Sequence, residues 1–125
     1  MATTARPRRS VLYMPGARAL ERGRTLPADG LILDLEDAVA PDAKATARTT
    51  IREAIAAGGY GGRELVVRTN GLNTPWGYDD LVMAAASGAD AVLLPKVESP
   101  DMVRQAEAVL RANGSPEEQA IWCMM

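Results

Sequence analysis

Short runs of branched apolar residues alternate along this chain with longer stretches in which apolar positions recur every three or four residues. Ser10-Val11-Leu12-Tyr13-Met14 reads as a strand that stops at Pro15-Gly16, since proline removes a ladder donor and glycine permits the turn. A helical segment is expected from Ala17 to Leu26, after which the turn residues Pro27-Ala28-Asp29-Gly30 lead into a second strand at Leu31-Ile32-Leu33. From Pro41 to Ala57 the spacing predicts the clearest helix, with Ala45, Thr49, Ile51, Ala54 and Ile55 on an apolar side and Gly58-Gly59 as its stop. Lys44, Arg48 and Arg52 recur on it every four residues, a basic stripe expected to face water. A third strand is predicted from Glu64 to Gly71, a short helix from Tyr78 to Ala86, a fourth strand over Asp90 to Leu94 and a helix from Pro100 to Ala112 with the stop Asn113-Gly114. Ala120 to Met125 begins a fifth strand.

Such alternation calls for parallel strands joined by right-handed crossovers, which brings the carboxyl ends of all strands to one edge. In both open α/β sheets and (β/α)8 barrels that edge carries the ligands. Tyr13, Pro15, Glu36, Asp37, Arg68, Asn70, Lys96 and Glu98 all fall on it. Asp34, Glu36 and Asp37 follow directly on three branched apolar residues. Desolvating one unpaired carboxylate costs several kcal/mol or shifts its pKa, so the cluster implies a solvated rim, a cation or basic partners. The competing reading is that the acids open the next helix, where Pro41 sits as a first-turn proline. Taken singly, Arg68 reads as a salt-bridge partner, Asn70 as a turn former, and Lys96 and Glu98 as solvated helix-start charges.

Composition narrows the chemistry. A chain of 125 residues with 47% apolar content is one globular domain at most. With a net charge of −2 and no basic block, nucleic acid is not the expected partner. No apolar run is long enough for a membrane helix, and the run behind Ala5-Arg6-Pro7-Arg8-Arg9 is too short for a signal-peptide core, so a cytoplasmic location is expected. The single cysteine, Cys123, excludes an internal disulfide framework. There is no histidine, which removes Ser-His and Cys-His nucleophile systems and histidine metal sites. Any catalysis must run on carboxylates, Arg, Lys, Tyr, water or an oxygen-held metal.

Four motifs, in order and spacing, carry a family resemblance: Ser10-Val11-Leu12-Tyr13-Met14-Pro15-Gly16, Asp34-Leu35-Glu36-Asp37-Ala38-Val39, Arg68-Thr69-Asn70 and Leu94-Pro95-Lys96-Val97-Glu98. From Arg9 onward the chain resembles the citrate lyase beta-subunit-like branch of the HpcH/HpaI aldolase family. The resemblance implies an α/β fold of the (β/α)8 TIM-barrel kind, here a half-barrel of about four βα units plus the start of strand five, with residues 1–9 as a flexible tail. It also implies a homo-oligomer that uses Mg2+ and acts on citryl-CoA, malyl-CoA or a similar 3-hydroxyacyl-CoA by retro-Claisen cleavage, releasing a keto acid. By the same resemblance, Arg68 would hold substrate and stabilise the developing oxyanion, Glu36 and Asp37 would surround the waters of the metal, and Asn70 and Lys96 would contribute to substrate binding. Tyr13, Pro15, Gly16 and Arg18 lie where relatives form part of the coenzyme A surface.

A (β/α)8 barrel takes about 250 residues, twice what is present. The metal-binding carboxylates of the family come from strands five and six, so the metal ligands are expected beyond Met125 and this chain alone is expected to be inactive. Two other readings compete with the enzyme: a non-catalytic half-barrel that serves as an interaction partner, and a receiver-like signalling domain. The receiver pattern would place its acid pair on strand one and its Lys-Pro on strand five, unlike this chain.

Overall fold

The computed structural model describes residues 11–14 by their backbone and residues 29–36 and 39–124 with their side chains. Pro15, Gly16, Arg18, Asp37, the helix expected from Ala17 to Leu26 and the tail 1–9 lie outside the described residues, as does the side chain of Tyr13.

Five strands form a single parallel sheet: β1 (Val11–Met14), β2 (Gly30–Asp34), β3 (Glu64–Arg68), β4 (Ala91–Leu94) and β5 (Ala120–Cys123). Their spatial order is β1-β2-β3-β4-β5, so each strand pairs with its neighbour in sequence. A receiver-type sheet reverses direction, in the order 2-1-3-4-5, and the observed order excludes it. Winding in one direction, with a helix after each strand from β2 to β4, is the arrangement of a partial (β/α)8 barrel.

Among the described residues the α-helices are α1 (Lys44–Ala57), α2 (Gly77–Ser87) and α3 (Pro100–Ala112). The helix expected to start at Pro41 instead opens with a 3-10 turn over Pro41–Ala43. The third strand also ends earlier than expected, at Arg68, because the Asn70 N–H leaves the ladder and donates to the Asp80 carboxylate on α2 at 2.9 Å. Two glycines matter here. Gly88 ends α2 with φ +88, a left-handed conformation that side chains with a Cβ adopt at a cost. Gly77 starts α2 so close to the β3–α2 loop that a Cβ there would collide with the Gly71 carbonyl.

Period-two alternation sorts the strand residues between two faces. Leu31, Leu33, Val67, Val92 and Leu94 meet Ile51 of α1, Leu81 and Ala84 of α2, and Ala106 and Leu110 of α3 in the main core. Ile32, Val66, Ala91 and Leu93 form a second cluster on the opposite face, with Ala120, Trp122 and Met124 packed against it. Both faces are thus apolar along the middle of the sheet, which explains why β2, β3 and β4 read as continuous hydrophobic runs rather than alternating ones.

Candidate active site

Asp34 ends β2 and Arg68 ends β3, and the parallel register sets them side by side. By alternation both belong to the face of Ile32 and Val66, opposite the helices. The guanidinium forks onto the carboxylate, with Arg68 Nε 2.7 Å from Asp34 Oδ1 and Nη2 2.6 Å from Oδ2. Both residues are buried, at 2% exposure for Asp34 and 7% for Arg68. Removing two charges from water is tolerable only with such close, bidentate pairing.

From this pair the charges alternate outward. Arg68 Nη1 lies 3.5 Å from Glu36 Oε1 and 3.4 Å from Met124 Sδ, while Glu36 Oε2 lies 3.5 Å from Lys96 Nζ. The Lys96 side chain is 78% exposed, so the series Asp34, Arg68, Glu36, Lys96 runs from the buried sheet to water. Lys96 has φ +48, unlike every other non-glycine residue among those described. A left-handed lysine is uncommon and costs of order 1–3 kcal/mol, a strain that concentrates at functional sites.

A second polar network holds these groups from behind. Asp34 Oδ1 accepts the Glu36 N–H at 2.9 Å, tying the turn after β2 to the same carboxylate that grips Arg68. Lys44 is buried, donates to the Leu35 and Glu36 carbonyls at 2.9 Å each, and sits 5.0 Å from the centre of the Trp76 ring. Arg48 Nε donates to Asp80 Oδ1 at 3.0 Å. The basic stripe expected to face water therefore does so only at Arg52. Lys44 and Arg48 are drawn inward because the turn after β2 leaves carbonyls without ladder partners, and α2 brings the buried Asp80 carboxylate within reach of α1.

Beside the charge series lies a cleft of about 440 Å³. Glu36, Asn70 and Lys96 border it, and Leu81, Leu94 and Ala106 line its apolar part. The structure links Arg68, Glu36 and Lys96 by ion pairs and sets Glu36, Asn70, Lys96 and the exposed Glu98 on the cleft, which Arg68 itself does not line. Asp34, Lys44 and Asp80 were missed as site residues. Asp34 and Arg68 each close a strand, so aligning strand ends in a parallel sheet would have paired them; nothing in the sequence marked Lys44 or Asp80.

The donor set bears on metal binding. Among the described residues, no group of three or more Asp, Glu, Cys or His side chains is arranged to hold an ion. Both oxygens of Asp34 are engaged by Arg68, and both oxygens of Glu36 face cations. The described residues do not fit a directly ligated metal.

Comparison with known proteins gives this geometry a context. Over the full chain the sequence is 44% identical to (3S)-malyl-CoA thioesterase from Cereibacter sphaeroides, and the match spans 42% of that protein. It is 41% identical to citrate lyase subunit beta from Escherichia coli, over 82% of this chain and 34% of the relative. The chain thus spans less than half the length of these curated relatives. A solved structure of CitE from Mycobacterium tuberculosis, in complex with magnesium, acetoacetate and coenzyme A, superposes with a TM-score of 0.62 at 34% identity, covering 77% of this chain and 35% of that one. The model of the HpcH/HpaI aldolase/citrate lyase family matches residues 9–120, nearly the whole sequence, and the chain belongs to that family.

Proposed function

We propose that this chain forms part of the active site of an enzyme that cleaves a carbon–carbon bond in a malyl-CoA- or citryl-CoA-like ester, with magnesium as cofactor. Relatives named for malyl-CoA and citrate chemistry support this reading. The observation that carries it is the Asp34–Arg68 fork at the carboxyl edge of the sheet, linked through Glu36 to the cleft that Glu36 borders. In retro-Claisen cleavage of malyl-CoA, the hydroxyl loses its proton and its oxygen becomes the carbonyl of glyoxylate. The electrons of the broken bond pass to the thioester fragment as an enolate, which then takes up a proton to give acetyl-CoA. Arg68 is held in one orientation by Asp34 and presents fixed positive charge to an oxygen that gains charge in that step. Glu36 keeps Arg68 and Lys96 within reach of one another. Magnesium would have to be ligated by residues other than those described, and Glu36 serves Arg68 and Lys96 rather than the ion.

A second reading has a specific basis. Four relatives at 42–44% identity are named thioesterases, and hydrolysis of the thioester would leave the carbon skeleton intact. The products separate the two. Malyl-CoA incubated with the intact enzyme and magnesium yields glyoxylate and acetyl-CoA by cleavage, but malate and coenzyme A, the latter bearing a free thiol, by hydrolysis. Glyoxylate formed without early thiol release is expected; stoichiometric thiol and malate from the start would establish hydrolysis instead.

A further inference from the structure

Asn70 borders the cleft next to Glu36 and Lys96 and is only 4% exposed. Its Nδ2 donates to the Leu35 carbonyl at 2.8 Å and to Asp80 Oδ2 at 2.7 Å. The Leu35 carbonyl has no hydrogen to give, and the Asp80 carboxylate already receives the Asn70 N–H and Arg48 Nε. Turning the carboxamide over would set its oxygen against two acceptors, so the network itself fixes which end is nitrogen. Both amide hydrogens are spent on the protein. What the side chain retains for a ligand is the acceptor capacity of its oxygen.

The surrounding charges make that capacity selective. Arg68 and Lys96 can only donate, so they match oxygens of a ligand. Glu36 is already shared between those two cations. We infer that Asn70 serves as a fixed hydrogen-bond acceptor that takes a donor hydrogen from the CoA ester, and that Asp80 is the positioning residue that fixes it. This rests on the CoA-ester reading above. The donors of such a ligand fall into two sets: the hydroxyl of a 3-hydroxyacyl group, and the amide, hydroxyl and amino hydrogens that every coenzyme A species shares. A ligand lacking the donor leaves a nearly buried acceptor unpaired, which is how a polar site rejects a close analogue.

The test uses the intact enzyme with a metal chelator to prevent turnover, and calorimetric titration with malyl-CoA, succinyl-CoA and free coenzyme A. Succinyl-CoA lacks only the hydroxyl, whereas all three carry the coenzyme A donors. Asn70→Ala is the first variant. Asn70→Ser, whose hydroxyl can still donate to Asp80, is the second, and melting curves establish which variants fold. Malyl-CoA binding about tenfold weaker, with the other two ligands unchanged, is the expected result if the hydroxyl is the donor. A similar loss for all three assigns the donor to the shared coenzyme A moiety and equally supports the inference. Asp80→Asn should reproduce the same ligand pattern more weakly, a selectivity change that loss of a purely structural contact would not produce. If folded variants bind all three ligands as the parent does, the acceptor role is overturned while the CoA-ester reading stands. If the parent binds none of them with the chelator, and neither succinyl-CoA nor coenzyme A with magnesium supplied, both are overturned.

Discussion

The two faces of the sheet are built from the same strands and follow opposite rules at their carboxyl ends. Toward the helices, Leu31, Leu33 and Leu35 continue as buried apolar residues beyond the last residue of β2. On the other face, Ile32 gives way to Asp34 and Val66 to Arg68, and the apolar cluster ends in a buried ion pair. A period-two pattern thus lets one strand contribute to a core and to a charged site without conflict, since each change of character falls on one parity only. The larger apolar cluster lies on the helix side, whereas the other side ends in paired charge at the carboxyl edge.

The comparison breaks most severely where one charge is left without the other. Asp34→Ala strands the buried Arg68 guanidinium and should cost about 3–5 kcal/mol in urea unfolding, and a loss under about 1 kcal/mol would show that the pair is solvated. Leu33→Ala, on the helix side, is expected to cost about 2–5 kcal/mol through the cavity it leaves. The double variant Asp34→Leu with Arg68→Met sharpens the contrast: stability should return to within about 1 kcal/mol of the parent, because apolar replacement of both partners removes the desolvation cost, while turnover is abolished. A double variant as unstable as Asp34→Ala would mean the charges are structural in their own right. Smaller effects separate Lys44 from its stripe. Lys44→Met removes one of the two donors to each of the Leu35 and Glu36 carbonyls and should cost about 1–3 kcal/mol through the lost charged hydrogen bonds, whereas the exposed Arg52→Met should stay within about 0.5 kcal/mol in the same melts. Equal effects would return Lys44 to the solvated face.

Most of the fold was legible in the sequence because β2, β3 and β4 are short apolar runs bounded by turn residues, and their alternation with helices admits few topologies. Their polar ends were visible for the same reason, which placed Glu36, Arg68, Asn70 and Lys96 on one edge. Partnership was not visible. Arg68 read alone as a salt-bridge partner, and its partner Asp34 is fixed by sheet register, a long-range property that local patterning does not contain. Lys44 was misplaced because helical spacing gives a face but not what lies against it; only the fold brings the turn after β2 onto that face. Asn70 reads as a turn former, and its orientation depends on Asp80, ten residues along in the first turn of α2.

The central claim is that Arg68, gripped by Asp34, is the group that meets the reacting ester. The most direct measurement is the kcat/KM of Arg68→Lys in the intact, magnesium-supplied enzyme with malyl-CoA. A lysine keeps the charge but loses the planar fork, so transition-state stabilisation should fall by roughly 2–4 kcal/mol, a drop of about thirtyfold or more in kcat/KM. A folded Arg68→Lys enzyme that loses less than about tenfold would contradict the assignment and leave the Asp34–Arg68 pair as architecture alone.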